Sequence, residues 1–166
     1  MKKLKNIVYT AVFAALICAA SMIVKYGGTG GYYHAGDSFI YLSAVCLPFP
    51  YASIAGALGG SLSDLLSGYA IYILPTFIIK FSIALCFTHN TQKILCKRNF
   101  FALFLSGAVS VSGYYAAELI IQKGNFTAAA ATIYGNTVQA AVSAAIFASL
   151  SFSVPKLRAA IFKNNI

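Results

Sequence analysis

Apolar residues in this chain run in long stretches broken by short polar, proline or glycine-rich punctuation. Six such segments can be drawn, at residues 7–24, 38–50, 51–67, 70–88, 100–122 and 132–154. Crossing a bilayer takes about 20 helical residues, so the pattern predicts an all-α integral membrane protein, a bundle of six transmembrane helices. The second and third segments are short. They meet at Pro48-Phe49-Pro50, a natural break because a residue preceding proline avoids helical backbone. No linker, soluble domain or internal repeat interrupts the pattern, so residues 1–166 are expected to form a single membrane domain.

Small residues recur four apart on two segments. Ala11, Ala15 and Ala19 form one row on the first, and Ala52, Gly56, Gly60 and Asp64 form another on the third. Lipid tails give apolar side chains no reason to leave them, so small residues promote helix contacts by letting backbones approach. The glycine row is expected to pack within the bundle, while the alanine row could equally face a partner. Polar residues also keep helical spacing. Tyr69, Tyr72, Thr76 and Lys80 share one face of the fourth segment. Tyr114, Tyr115, Glu118 and Gln122 cluster on the fifth, and Thr132, Asn136, Gln139 and Ser143 on the sixth. The simplest packing points these three stripes at one another. Pro75 removes a backbone hydrogen bond and is expected to bend the fourth helix, leaving a carbonyl available to a neighbour or ligand.

Composition sharpens the class. The chain is 60% hydrophobic and only 9% charged, against roughly 25% charged in soluble domains. Its net charge of +9 does not point to nucleic acid, because the basic residues lie in short flanks between apolar segments. Lys2, Lys3, Lys5, Lys93, Lys97, Arg98, Lys156, Arg158 and Lys163 collect on one side, and only Lys25 and Lys123 on the other. By the positive-inside rule both termini are expected in the cytoplasm. The start MKKLKN and the Ala19-Ala20-Ser21 sequence resemble a cleavable signal, but the first run is long for one, and a retained first helix is expected. Cys18, Cys46, Cys86 and Cys96 have no metal-ligand or CxxC spacing and are read as small core residues.

Lys80 is the residue that asks for an explanation. A lysine at the centre of a bilayer costs about 2.5–3.5 kcal/mol on insertion scales, so it should face the interior and meet Asn136, Gln139, a tyrosine hydroxyl or a ligand. A direct salt bridge to Glu118 is a strained alternative, because the two are separated by about 9 Å along the membrane normal when depth is counted at 1.5 Å per residue. Burial as a structural lysine satisfied by carbonyls is the competing reading. The same count puts Asp37, Asp64 and Glu118 toward the outer face. Asp37 could cap the second helix through its carboxylate or contact a ligand. Asp64, near Ser61, Ser63 and Ser67, reads as structural. Glu118 could be a wet interfacial residue, and tyrosines gather at membrane interfaces in any case. His34 beside one aspartate is a poor metal site, so none is expected.

Tyr33-His34-Ala35-Gly36-Asp37, then GALGGSLSDLLSGY at 56–69, PTFIIK at 75–80 and GNTVQ at 135–139 resemble the S components of energy-coupling factor (ECF) vitamin transporters. The resemblance is to the branch holding pyridoxine-, hydroxymethylpyrimidine- and riboflavin-type members, and it is densest between residues 32 and 80. It implies a multi-pass subunit of a bacterial plasma membrane that captures a vitamin or precursor at the outer face. Such a subunit hands its substrate inward together with a transmembrane coupling subunit and two ATPases. The resemblance further implies that the first outer loop and the last three helices form the pocket. Carried over, the substrate-binding set is His34, Asp37, Tyr72, Thr76, Lys80, Tyr114, Glu118, Asn136 and Gln139. The alanine row Ala11, Ala15 and Ala19 is implied to dock the coupling subunit. Thiamine-type members stack their ligand on tryptophan, which this chain lacks.

Aromatic rings, amides, one acid and one buried base suit a small flat polar heterocycle, with a vitamin B6 vitamer or a hydroxymethylpyrimidine as the expected substrates. No Walker motif is present, so ATP would be hydrolysed by partner subunits and no cofactor is expected in the chain itself. An intramembrane enzyme built on His34, Asp37, Asp64 or Glu118 would be the alternative, but the sequence has no HExxH, GxSxG or acidic metal cluster. An oligomeric channel-like protein is a second alternative. It predicts polar stripes around a shared axis and no saturable ligand.

Overall fold

A computed structural model describes residues 2–23, 25–28, 31–89 and 94–155. Its elements are α1 (Lys2–Ile23), β1 (Lys25–Gly28), β2 (Gly31–His34), α2 (Gly36–Cys46), α3 (Tyr51–Leu66), a single 3-10 turn (Ala70–Tyr72), α4 (Ile73–Leu85), α5 (Lys97–Ile121) and α6 (Phe126–Leu150). Among the described residues the fold is therefore six α-helices plus one antiparallel hairpin, in which Lys25 pairs with His34 and Gly28 with Gly31. Three helices are long and apolar enough to cross a membrane: Lys3–Ile23, Lys97–Ile121 and Phe126–Leu150. α2, α3 and α4 are shorter.

The helices α1, α3, α4, α5 and α6 touch in that order, and α2 lies inside the arc against α1, α3, α4 and α6. Every residue of α2 except Phe39 is buried. Such a short helix can be sealed in this way only if its own polar groups find partners, and the serines of α2 do so locally. Ser38 Oγ donates to the Ala35 carbonyl at 2.6 Å and Ser43 Oγ to the Ile40 carbonyl at 2.8 Å. Beneath them Ile40, Tyr41, Val45, Ile83, Phe87 and Phe147 make the apolar core. Tyr41 stacks on Phe87 at 4.9 Å between ring centroids and meets Phe147 edge-on at 5.8 Å. The outer surface is the reverse of a soluble protein's. Ile120 is 80% exposed, Phe126 70% and Leu74 68%, while Ser63, Ser106, Ser143, Asp37 and Lys80 are fully buried. Apolar outside and polar inside is what a lipid solvent selects.

The glycine row packs inside the bundle. A Cβ added at Gly56 would lie 3.1 Å from the Lys80 carbonyl, and one at Gly60 would lie 3.0 Å from Lys80 Cγ. Gly59, on the neighbouring face, admits α1: its Cβ would stand 2.6 Å from the Ala14 carbonyl. The alanine row lies elsewhere. Phe13, Ile17 and Cys18 turn α1 inward, and Ala11, Ala15 and Ala19 are exposed on the opposite side.

Several expectations change. α1 and α5 begin at Lys2 and Lys97, earlier than the apolar runs, because a helix continues through flanking polar residues whose side chains reach water, and α6 begins at Phe126, where Asn125 caps it by accepting from the Ala128 N–H at 3.1 Å. Pro75 does not bend the middle of a helix. It sits in the first turn of α4, just after the 3-10 turn, where the missing N–H would have no intrahelical acceptor. Of the basic residues used to orient the chain, Lys93, Lys156, Arg158 and Lys163 lie outside the described residues. Lys3, Lys97 and Arg98 are exposed, and Lys5 partly so.

Candidate functional site

The hairpin, the start of α2, the start of α4, the end of α5 and the start of α6 gather at one end of the bundle. Gly36 makes this possible at the α1–α2 corner, since a Cβ there would collide with Ser21 Oγ. Asp37 follows in the first turn of α2. It is not a cap: the capping position is Ala35 and no side chain bonds the helix end. It is fully buried, and its Oδ1 accepts from Lys80 Nζ at 2.7 Å. Lys80 is equally buried, so the charge expected to meet amides or hydroxyls meets a carboxylate. Two facts of the fold explain the pairing. α2 starts directly after the hairpin, and Gly56 and Gly60 let α4 come close enough for Lys80 to reach across. The positive end of α2 also favours an anion in its first turn.

Gln139 of α6 completes the cluster. Its Nε2 donates to Asp37 Oδ2 at 2.9 Å, and its Oε1 accepts from the His34 backbone N–H at 3.2 Å. One amide thus ties the ion pair to the last residue of the hairpin. The imidazole of His34 turns back on its own chain, Nδ1 accepting from the Gly36 N–H at 3.1 Å. On the other side of the lysine, Nζ stands 5.1 Å from the ring centre of Tyr114, a cation–π arrangement. The Tyr114 hydroxyl lies 3.0 Å from Thr76 Oγ1.

A second cluster joins the 3-10 turn before α4 to the end of α5. Tyr72 OH donates to Glu118 Oε2 at 2.5 Å, and Gln122 Nε2 donates to Oε1 at 2.9 Å. Tyr69 meets Tyr72 edge-on at 6.4 Å. Tyr72 is half-buried and Gln122 exposed, so this cluster reaches the exterior where the first does not. Asn136, expected beside Lys80, spends its amide on the Thr132 carbonyl of its own helix at 2.9 Å. Of the nine expected residues, His34, Asp37, Lys80 and Gln139 are linked through hydrogen bonds. Thr76 and Tyr114 adjoin them through the aromatic ring, Tyr72 and Glu118 form the second group, and Asn136 bonds to neither. The link that sequence reasoning missed is Asp37 to Lys80. The signal available for it was charge: an intramembrane lysine in a chain with three acids should pair with one of them.

Among the described residues no group of three His, Cys, Asp or Glu could hold a metal ion. The match that decides the class covers nearly the whole chain: the family model described as ECF-type riboflavin transporter, S component, matches residues 1–156. The chain belongs to that family. It is a substrate-binding membrane subunit of a vitamin transporter, and S components in general work with a coupling subunit and ATPase subunits. Transport, and not catalysis, is the family's business. No individually curated protein matches the chain.

Proposed function

We propose that this S component spans a bacterial plasma membrane six times with both termini inside, and captures a flat polar heterocyclic vitamin at the hairpin end. The whole-chain family match carries this reading. Three helices suffice in length to cross, and the shorter α2, α3 and α4 complete the bundle in a membrane that the exposed apolar exterior implies. The charge asymmetry of the sequence supports the orientation, since Lys3, Lys5, Lys97 and Arg98 stand at the end away from the hairpin. Tyr72, Tyr114, Glu118 and Asn136 offer rings, one acid and one amide to the ligand. Thr76 supports Tyr114. Asp37, Lys80, Gln139 and His34 hold the hairpin over them. Riboflavin, the vitamin of the matching family, is the first ligand to test. A vitamin B6 vitamer and a hydroxymethylpyrimidine are next, because rings with donors and acceptors suit the same groups.

The purified chain, without ATP or partners, should bind one of these three saturably and stoichiometrically in a fluorescence or calorimetric titration. Failure of all three sinks the substrate class. Ala11, Ala15 and Ala19 dock the coupling subunit in this reading, through the close backbone approach that small residues permit. Ala15→Leu should leave ligand binding by the isolated chain unchanged and abolish uptake in cells that supply the coupling and ATPase subunits. Lost binding in that variant would remove the docking role from this face.

A further inference from the structure

At the end of the bundle away from the hairpin, a cavity of about 230 Å³ opens between the end of α2, the start of α3, the end of α4 and the start of α5. Ala52, Ser53, Thr88, His89 and Arg98 contribute its polar and main-chain lining. None of these residues belongs to the site described above. Ser53 is 2% exposed, lines the cavity, and its hydroxyl makes no hydrogen bond to any described residue. It sits in the first turn of α3, which starts at Tyr51 after Pro50 and has no side-chain cap. The N–H groups of Tyr51 and Ile54 are used, donating to the carbonyls of Pro48 and Pro50. Those of Ala52 and Ser53 lack an intrahelical acceptor, as the second and third residues of any helix do. Arg98 is exposed at the rim and forms no ion pair among the described residues. A hydroxyl and two N–H donors at the positive end of a helix, and a guanidinium without an ion pair among the described residues, thus line one hollow.

We infer that this cavity is a phosphate-binding site: Ser53 and the first turn of α3 take the phosphate oxygens, and Arg98 supplies the countercharge. Helix N-termini accept anions through N–H groups and dipole together, and arginine grips phosphate with two parallel donors. Carboxylates would be held less well, having two oxygens for three kinds of donor. Phosphate can arrive as the headgroup of an anionic phospholipid or as a free ion. Basic pockets between membrane helices on the cytoplasmic side take headgroups, and Phe49, Leu47 and Leu85 beside the polar lining would meet the acyl chains.

The test uses the full chain in two kinds of nanodisc. In a phosphatidylglycerol–phosphatidylcholine mixture, native mass spectrometry reads the retained lipid. In pure phosphatidylcholine, calorimetry reads binding of inorganic phosphate. Wild type should retain phosphatidylglycerol preferentially, and Arg98→Gln should cut that preference about fivefold, the size expected of one basic group at a lipid surface. Ser53→Ala should weaken it further. Lys97→Gln, adjacent but outside the lining, should not. Phosphate binding in the second disc that Arg98→Gln weakens would assign the site to the free ion. The proposal is overturned if neither probe binds, or if Lys97→Gln lowers retention as much as Arg98→Gln. Vitamin binding by each variant serves as the folding control, since these residues lie at the other end of the bundle.

Discussion

Two carboxylates share the hairpin end of this S component and live under different conditions. Asp37 is fully sealed, with one oxygen on Lys80 and the other on Gln139. Glu118 is itself buried, but its partners Tyr72 and Gln122 run out to the surface. The first acid is held by buried side chains of α4 and α6. The second is held by long side chains with an exposed end. An ion pair shut away from water is poorly placed to meet a ligand and well placed to fix geometry. A carboxylate one ring away from solvent can exchange a tyrosine or an amide for a substrate donor. In the proposed reading this comparison gives Asp37 and Lys80 the task of fixing geometry and Glu118 that of meeting the ligand.

The largest effect should come from breaking the sealed pair. Lys80→Met leaves Asp37 charged with no counterion, and removing one partner of a buried pair costs about 3–5 kcal/mol. Thermal unfolding in detergent should drop sharply and ligand binding should vanish with it. Lys80→Met combined with Asp37→Leu should recover much of the stability, because apolar replacement of both partners is often neutral. Recovery of stability without recovery of affinity would mark the pair as a positioning device that also shapes the pocket. A single variant as stable as wild type would erase the contrast between the two acids.

Gln139→Leu comes next. It leaves Asp37 with Lys80 but orphans Asp37 Oδ2 and the His34 N–H, and an unsatisfied buried group costs about 1–3 kcal/mol. Because the lost link runs to the hairpin, protection of the His34 amide in hydrogen exchange should fall while α4 and α5 keep theirs. Equal loss across the whole bundle would mean that Gln139 only fills space.

How far the sequence foretold all this depends on the residue. Lys80 had to face inward, because lipid offers an ammonium nothing, and it does. The glycine row had to be a packing face, and Gly56 and Gly60 are where α4 presses on α3. The partner of Asp37 was not legible, because Lys80 lies 43 residues away on another helix and only the packing of α2 against α4 brings the two together. The hairpin was itself invisible: Tyr26-Gly27-Gly28 and Gly31-Tyr32-Tyr33 show no alternation of apolar and polar positions, so they read as loop. The 3-10 turn before α4 was hidden by a stripe that keeps helical spacing through Tyr69, Tyr72 and Thr76. Whether a tyrosine belongs to a membrane interface or a binding site is decided by its neighbours, and neighbours from other helices are what a single sequence withholds.

The smallest effect on stability, and the one that separates the two acids most cleanly, should come from Glu118→Gln. Glutamine keeps the shape and one acceptor oxygen, so the Tyr72 or the Gln122 bond survives, and the charge that strengthened both is lost. Since Gln122 is exposed and Tyr72 only half-buried, water can replace what goes missing, and the cost should stay near ~1 kcal/mol. Ligand affinity should suffer more. A hydrogen bond to a charged group contributes about 1.5–3 kcal/mol, so affinity should fall by about tenfold or more, with no change in the exchange protection of the hairpin. Tyr72→Phe supplies the control: it frees Glu118 Oε2 while keeping the charge, and should lower affinity less than Glu118→Gln. If Glu118→Gln instead unfolds the chain as Lys80→Met does and spares affinity in what remains folded, then Glu118 is a structural acid like Asp37, and the ligand must be read by the rings alone.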